Sequence, residues 1–264
     1  MSIPFSTVGQ YIPGESIVHR LDPRTKILLS LVVVAALFVA RRPGAYLMLA
    51  GLIIGAILIS RVHLGYVLRG LRPLLFVIVA TFGLHLFMDP GEPIFRIWKL
   101  TATDRGLREG LITVVRLVLL IMTTSSVTLT TSPIAFTDGL ESLLRPFAVV
   151  GLPAHELAMM MTIALRFIPT LLEETDKIMK AQMARGADFE SGNIARRAKA
   201  MIPVLVPLFV SAFRRADELA MAMESRCYRG GKGRTRMRQL KMTVSDYAVI
   251  AGTVAYAVVA VVAF

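Results

Sequence analysis

The sequence predicts an all-α membrane protein of about five transmembrane helices, together with a cytoplasmic domain of long, kinked helices. Three observations carry that prediction. Apolar residues make up 55% of the 264 positions, at a mean hydropathy of +0.64, which is too oily for an ordinary soluble domain. Several apolar runs approach the ~20 residues that a bilayer core requires. The third observation is an internal near-repeat between positions 153 and 231, in which two apolar segments each pass into a charged helix that stops at an arginine.

Charge orients the chain. The formal charge is +12, and positions 173–241 hold 15 of the 30 Lys and Arg against 8 of the 18 Asp and Glu. By the positive-inside rule that region is cytoplasmic. Nucleic acid is not needed to explain the excess, because no recognition fold or aromatic stacking surface accompanies the basic run 229–241. Cys227 is the only cysteine, so neither an intramolecular disulfide nor a cysteine-based metal cluster can form. The first apolar run ends in Arg41-Arg42-Pro43, not in a small-residue cleavage site, so no cleavable signal is expected.

In chain order, residues 1–26 are polar and broken by Pro4, Pro13-Gly14 and Asp22-Pro23. His19, Arg20, Arg24 and Lys26 precede the first span and place the N-terminus in the cytoplasm. Asp22 fits an N-cap and Pro23 the first helical position, with the bases near the headgroups. Residues 27–40 and 44–60 read as two short spans joined by a tight turn, with snorkelling arginines at their ends. Arg61, Arg69 and Arg72 return the chain to the cytoplasmic side, and 73–88 is a third span. His85 within it reads as a packed or interfacial residue, since no second ligand stands at helical spacing. Residues 89–106, with Pro90-Gly91, Pro93 and Trp98, read as an outer loop with a short surface helix.

Residues 107–131 form the fourth span. Arg116 inside it is expensive unless it finds a partner or an interface. The span ends in a hydroxyl-rich run from Thr123 to Ser132, whose side chains can bond their own helix backbone or allow close helix contact. Residues 132–146 are amphipathic and suited to the membrane surface. Residues 244–264 form the last span. The chain thus divides into 1–131, a membrane-surface and cytoplasmic region 132–243, and 244–264.

The region 157–227 carries the functional signal. The apolar segment 157–172 contains Arg166 and Pro169 and continues as an amphipathic helix, with Leu171, Leu172, Ile178, Met179 and Met183 on one stripe and Glu173, Glu174, Lys177 and Lys180 facing away. The segment 201–213, broken by Pro203 and Pro207, continues as Phe209, Phe213, Ala216, Ala220 and Met223. At an offset of 41, Asp176 pairs with Asp217, Ala181 with Ala222, Ala184 with Ser225 and Arg185 with Arg226. Gly186 suits a left-handed helix cap, whereas Cys227 suits it poorly. An exposed arginine at a helix tip, beside residues of little bulk, is fitted to enter a pocket and pair with a carboxylate. Two such tips imply two similar partners or a two-fold dimer.

These residues resemble the transmembrane T component (EcfT) of energy-coupling factor transporters, a branch of the ABC transporters that imports vitamins and trace metals. The opening Gly9-Gln10-Tyr11, Pro13-Gly14, Ser16, His19 and Leu21-Asp22-Pro23-Arg24-Thr25-Lys26 is similar to that family's N-terminus. Ala184-Arg185-Gly186 and Ser225-Arg226-Cys227 resemble its paired Ala-Arg-Gly motifs, with Ser225 and Cys227 departing from the pattern. The resemblance implies that the two tips dock on a cytoplasmic pair of ABC-type ATPase subunits. The helices behind the tips, including Asp176, Met183, Asp217 and Met223, would act as coupling helices. Movement would then pass to a small substrate-binding membrane subunit, the S component. It also implies a multi-pass protein of the cell membrane that is not itself an enzyme and needs no cofactor, ATP being bound by the partners. In keeping with that, the sequence has no Gly-x-x-x-x-Gly-Lys-Ser/Thr loop and no metal-ligand cluster. The competing reading is a self-sufficient permease, which would call for paired ionisable groups or broken helices at mid-membrane.

Overall fold

The computed structural model describes residues 11–40, 42–97, 100–151, 153–189, 191, 193–230 and 240–263. They divide into two compact units, one comprising Gly9–Leu143 and Leu240–Phe264, the other centred on the helices within Leu144–Gln239.

The first unit opens with the single turn α1 (Ile17–Arg20) and then α2 (Pro23–Val39). Asp22 starts α2 by accepting a hydrogen bond from the Arg24 N–H at 2.9 Å, with Pro23 at the first helical position, as the residue types dictate. Next comes α3 (Pro43–Ser60), which opens on Pro43 and stops where Arg61 turns left-handed at φ 56°. α4 (Leu64–Arg69), a 3-10 turn at Arg72–Leu74 and α5 (Leu75–Met88) follow in one 25-residue stretch. That stretch supplies the length which residues 73–88 lack by themselves.

After α5 the chain departs from the sequence reading. In place of a surface helix it forms an antiparallel hairpin, β1 (Pro93–Ile97) and β2 (Leu100–Thr103), with Ile97 opposite Leu100. The cause lies in composition: Ile94, Phe95, Ile97, Thr101 and Thr103 are β-branched or aromatic and favour strands, and the segment is too short for a stable helix. Trp98 lies outside the described residues. α6 (Asp104–Thr130) begins at Thr103, whose hydroxyl accepts from the Gly106 N–H at 3.1 Å. A Cβ on Gly106 would lie 2.3 Å from the His85 carbonyl oxygen, so a glycine is what allows α5 and α6 to meet there. α7 (Pro133–Leu144) is the short amphipathic helix expected.

The core of this unit is built from Leu37 on α2, Leu49 and Ile57 on α3, Val67 on α4, Leu119 on α6 and Ala260 near the chain's end. Large apolar side chains such as Leu31, Phe38, Leu47, Leu58 and Phe76 point outward, as helices immersed in lipid require. Arg116 has the partner its position demands: Nε and Nη2 donate to the Tyr46 hydroxyl at 3.0 and 2.6 Å, and that hydroxyl donates in turn to the Ala40 carbonyl at 2.9 Å. The hydroxyl run bonds its own helix, Thr123 to the Leu119 carbonyl, Thr124 to that of Leu120 and Thr130 to that of Ser126. His85 pairs with Asp89 at 2.8 Å.

Lys26 does not face outward. It is buried, and its Nζ donates to the Thr130 carbonyl at 2.8 Å and to the His19 carbonyl at 3.2 Å. Burying an ammonium is tolerable only with such acceptors and with compensating charge nearby. Asp22 and Asp246, both buried, supply that charge. The Asp22 N–H donates to Asp246 Oδ1 at 3.0 Å, and the Thr243 N–H to Asp246 Oδ2 at 2.8 Å. The Asp-Pro-Arg-Thr-Lys stretch is therefore a polar knot binding the start of α2 to the end of α6 and to the start of the last helix.

The second unit holds α8 (Ala154–Ala184) and α9 (Ile194–Ser225), of 31 and 32 residues. Pro169, Pro203 and Pro207 lie inside them without ending either helix. Asn193 starts α9 by accepting from the Arg196 N–H at 3.0 Å. α10 (Val244–Ala263) completes the chain in the first unit. Among the described residues, five stretches are long and apolar enough to cross a membrane: α3, Leu64–Met88, α6, α8 and α10. α2 is also apolar and has 17 residues.

Candidate docking site at two helix tips

α8 and α9 pack antiparallel. Arg215 Nη2 donates to Glu174 Oε2 at 2.9 Å, the Gln182 side-chain amide reaches the Pro203 carbonyl at 3.5 Å, and Ile163, Phe167 and Leu171 line an apolar groove with Ala212, Ala216, Leu219 and Met223. The contacts run backward along one helix as they run forward along the other. Glu174 therefore turns toward α9, contrary to the outward position its helical spacing gave it. The helix face is decided by the partner cation, which the periodicity of α8 alone cannot register.

Each helix ends in the same backbone closure. At the first tip the Gly186 N–H donates to the Met183 carbonyl at 2.9 Å and the Ala187 N–H to that of Gln182 at 3.0 Å, with Gly186 at φ +87°. At the second the Cys227 N–H donates to the Glu224 carbonyl at 2.8 Å and the Tyr228 N–H to that of Met223 at 3.0 Å, with Cys227 at φ +55°. This is the Schellman arrangement twice. Cys227 thus takes up the left-handed position its side chain suits poorly, at a conformational cost that Gly186 does not bear.

The cap fixes the arginine. Arg185 and Arg226 are the C-cap residues directly after the last helical positions Ala184 and Ser225, and Ala184, Arg185, Gly186, Ser225, Arg226 and Cys227 are all exposed. Among the described residues neither guanidinium is in an ion pair. A cation here offsets the negative end of the helix dipole and leaves a planar donor fork free for an incoming carboxylate. The supporting residues are less alike than the tips. Asp176 pairs with Lys180 at 2.6 Å, whereas Asp217 is exposed, with Met221 where the repeat would place a lysine. Met183 is 45% exposed, and Met223 lines the groove. Among the described residues no three His, Cys, Asp or Glu side chains converge to hold a metal.

The model of the CbiQ family, described as cobalt transport protein, matches residues 14–237. The chain belongs to this family. Curated relatives sharpen the assignment. A protein of Thermosediminibacter oceani is 62% identical over 94% of this chain and 93% of its own length. Relatives from Acidaminococcus fermentans, at 58% over 91% and 90%, and Bacillus subtilis, at 50% over 95% and 95%, cover nearly as much. All three carry the name energy-coupling factor transporter transmembrane protein EcfT. At this similarity over this length, the chain is a transmembrane coupling component of an energy-coupling factor transporter, and the self-sufficient permease is not favoured.

The sequence missed the ion pair between Glu174 and Arg215. The signal was present, because an offset of 41 joins those two positions as surely as it joins Arg185 to Arg226.

Proposed function

We propose that Arg185 and Arg226 are the points at which this subunit docks on two ABC-type ATPase subunits at the cytoplasmic face. α8 and α9 then transmit the ATP-driven movement of that pair to a separate substrate-binding membrane subunit, an S component that selects a vitamin or trace metal. In this reading the chain hydrolyses nothing and needs no cofactor of its own, ATP being held by the partners. The N-terminus lies in the cytoplasm, on the side of the basic region 229–241. The observation that supports the reading best is the duplicated tip: two exposed arginines, each set by the same cap at the end of a long helix. Ser225 and Cys227 keep the bulk around the second guanidinium small, and a partner groove that receives one tip can receive the other.

The test is co-purification from native membranes of the tagged chain beside an Arg185→Glu, Arg226→Glu double variant. Wild type is expected to bring down ABC-type ATPases and a small membrane protein, and the variant to lose the ATPases while keeping the membrane partner. An unaltered set of companions, or transport by the assembled variant at the wild-type rate, refutes the docking role.

A further inference from the structure

A helix packed antiparallel against a copy of itself has a two-fold axis across the pair, and only there does a residue meet its own counterpart. Glu174 and Arg215 are counterparts at the offset of 41, and they are the residues in contact. Contacts on either side obey the same relation. Gln182 meets Pro203, and their counterparts Met223 and Thr162 fall where Met223 and Ile163 line one groove. Arg185 stands 11 residues beyond Glu174, and Arg226 stands 11 beyond Arg215. Each tip is therefore about 16 Å of helix from the axis, on opposite sides of it.

An exact repeat would set like against like at such an axis, two glutamates or two arginines at contact distance, and drive the helices apart. Here the two counterpart positions carry opposite charges, so the contact at the axis is an attraction instead of a self-repulsion. We infer that Glu174 and Arg215 form a positioning pair on a pseudo-two-fold axis, pinning the crossing of α8 and α9 so that the arginine tips keep equal arms. The inference deepens the docking reading and rests on it for its purpose, though not for its geometry. A partner with two equivalent grooves can take both tips at once only if the crossing point does not slide along either helix. One turn of slippage would lengthen one arm and shorten the other by about 5 Å. Both side chains are only half-buried, so the pair can re-form after a scissor-like change of crossing angle, which a sealed apolar contact would resist.

The native Cys227 is exposed and is the only cysteine, and Ala187→Cys adds a second label site beside the first tip. Spin-spin distances are measured on the full-length chain in lipid nanodiscs, without ATPases. The parent is expected to give one narrow distance of about 37 Å. Glu174→Gln, which keeps the side-chain shape, is expected to lose the single narrow peak, and the exchange Glu174→Arg with Arg215→Glu to restore it. A distribution unchanged in Glu174→Gln overturns the inference. So does a broadening that the charge exchange fails to reverse, since side-chain shape would then be the cause. If the distances respond as expected while the Arg185→Glu, Arg226→Glu complex keeps its ATPases, the docking reading fails and the positioning pair stands.

Discussion

The second tip gives the sharpest energetic prediction. Cys227 sits at φ +55° and Gly186 at φ +87° in otherwise matching caps. An L-residue in the left-handed region costs about 1–2 kcal/mol. Glycine at the same place forgoes that strain but loses about 0.5–1 kcal/mol more backbone entropy on folding. Cys227→Gly should therefore stabilise the last turn of α9 by a net ~0.5–1 kcal/mol, and Gly186→Ala should destabilise that of α8 by a similar amount. The second substitution is free of steric complication, because nothing lies within 4 Å of a Cβ built on Gly186. Amide hydrogen exchange reads both, since the Ala187 and Tyr228 N–H groups close their caps onto Gln182 and Met223. With 1.4 kcal/mol worth a factor of ten, Cys227→Gly should slow exchange at Tyr228 about two- to fivefold, and Gly186→Ala should speed it at Ala187 to the same degree. Exchange at Tyr228 that stays the same or quickens would mean that strain at Cys227 is not what limits opening of the tip.

Two further substitutions probe the buried charges of the first unit. Tyr46→Phe removes the oxygen that receives both Nε and Nη2 of Arg116, and should lower stability in detergent by about 1–3 kcal/mol; a melting temperature equal to wild type would show that Arg116 reaches water by another route. Lys26→Met leaves the Thr130 carbonyl without its buried donor and Asp22 and Asp246 without the nearby ammonium. A loss of about 3–5 kcal/mol is expected, read as a collapse in the yield of monodisperse protein, and a normal yield would refute the knot.

The fold was legible where a local rule decides it. Asp22-Pro23 announces a capped helix start, apolar run length finds α3, α6, α10 and the α5 end of Leu64–Met88 but leaves out α8, which is also long and apolar enough to cross a membrane, and the offset of 41 finds the tips before any contact is known. What escaped depends on neighbours distant in sequence. Lys26 reads as a headgroup lysine unless the Thr130 carbonyl and the Asp22–Asp246 bond are in view. Glu174 reads as outward until Arg215 faces it. The hairpin at Pro93–Thr103 failed for another reason: loop expectation and the pull of Trp98 toward an interface outweighed a β-branched run that was there to be counted. At the site, both arginine tips and the Gly186 cap follow from sequence, but the matching left-handed cap at Cys227 and the antiparallel packing that sends the tips to opposite ends of the pair do not.

The two units differ in how they could respond to a load. Among the described residues, the buried apolar core comes from α2, α3, α4, α6 and α10, and the polar knot at Lys26 joins three of those helices at their ends. Moving one of them would uncover close-packed side chains and orphan buried polar atoms, each a cost of whole kilocalories per mole. Among the described residues, α8 and α9 bury only Ala154, Ala158 and Val204 of their apolar side chains, while Ile202, Leu205, Val206, Phe209 and Phe213 stay exposed. Sliding or pivoting this pair forfeits little buried area, at roughly 25 cal/mol per Å². Each helix nonetheless stays stiff along its length, because its backbone hydrogen bonds are internal. A stiff lever on a soft joint carries a displacement at its tip along its length instead of absorbing it in repacking. That is the mechanical property the proposed function asks of α8 and α9, and the reason a single half-buried ion pair is enough to hold their crossing point.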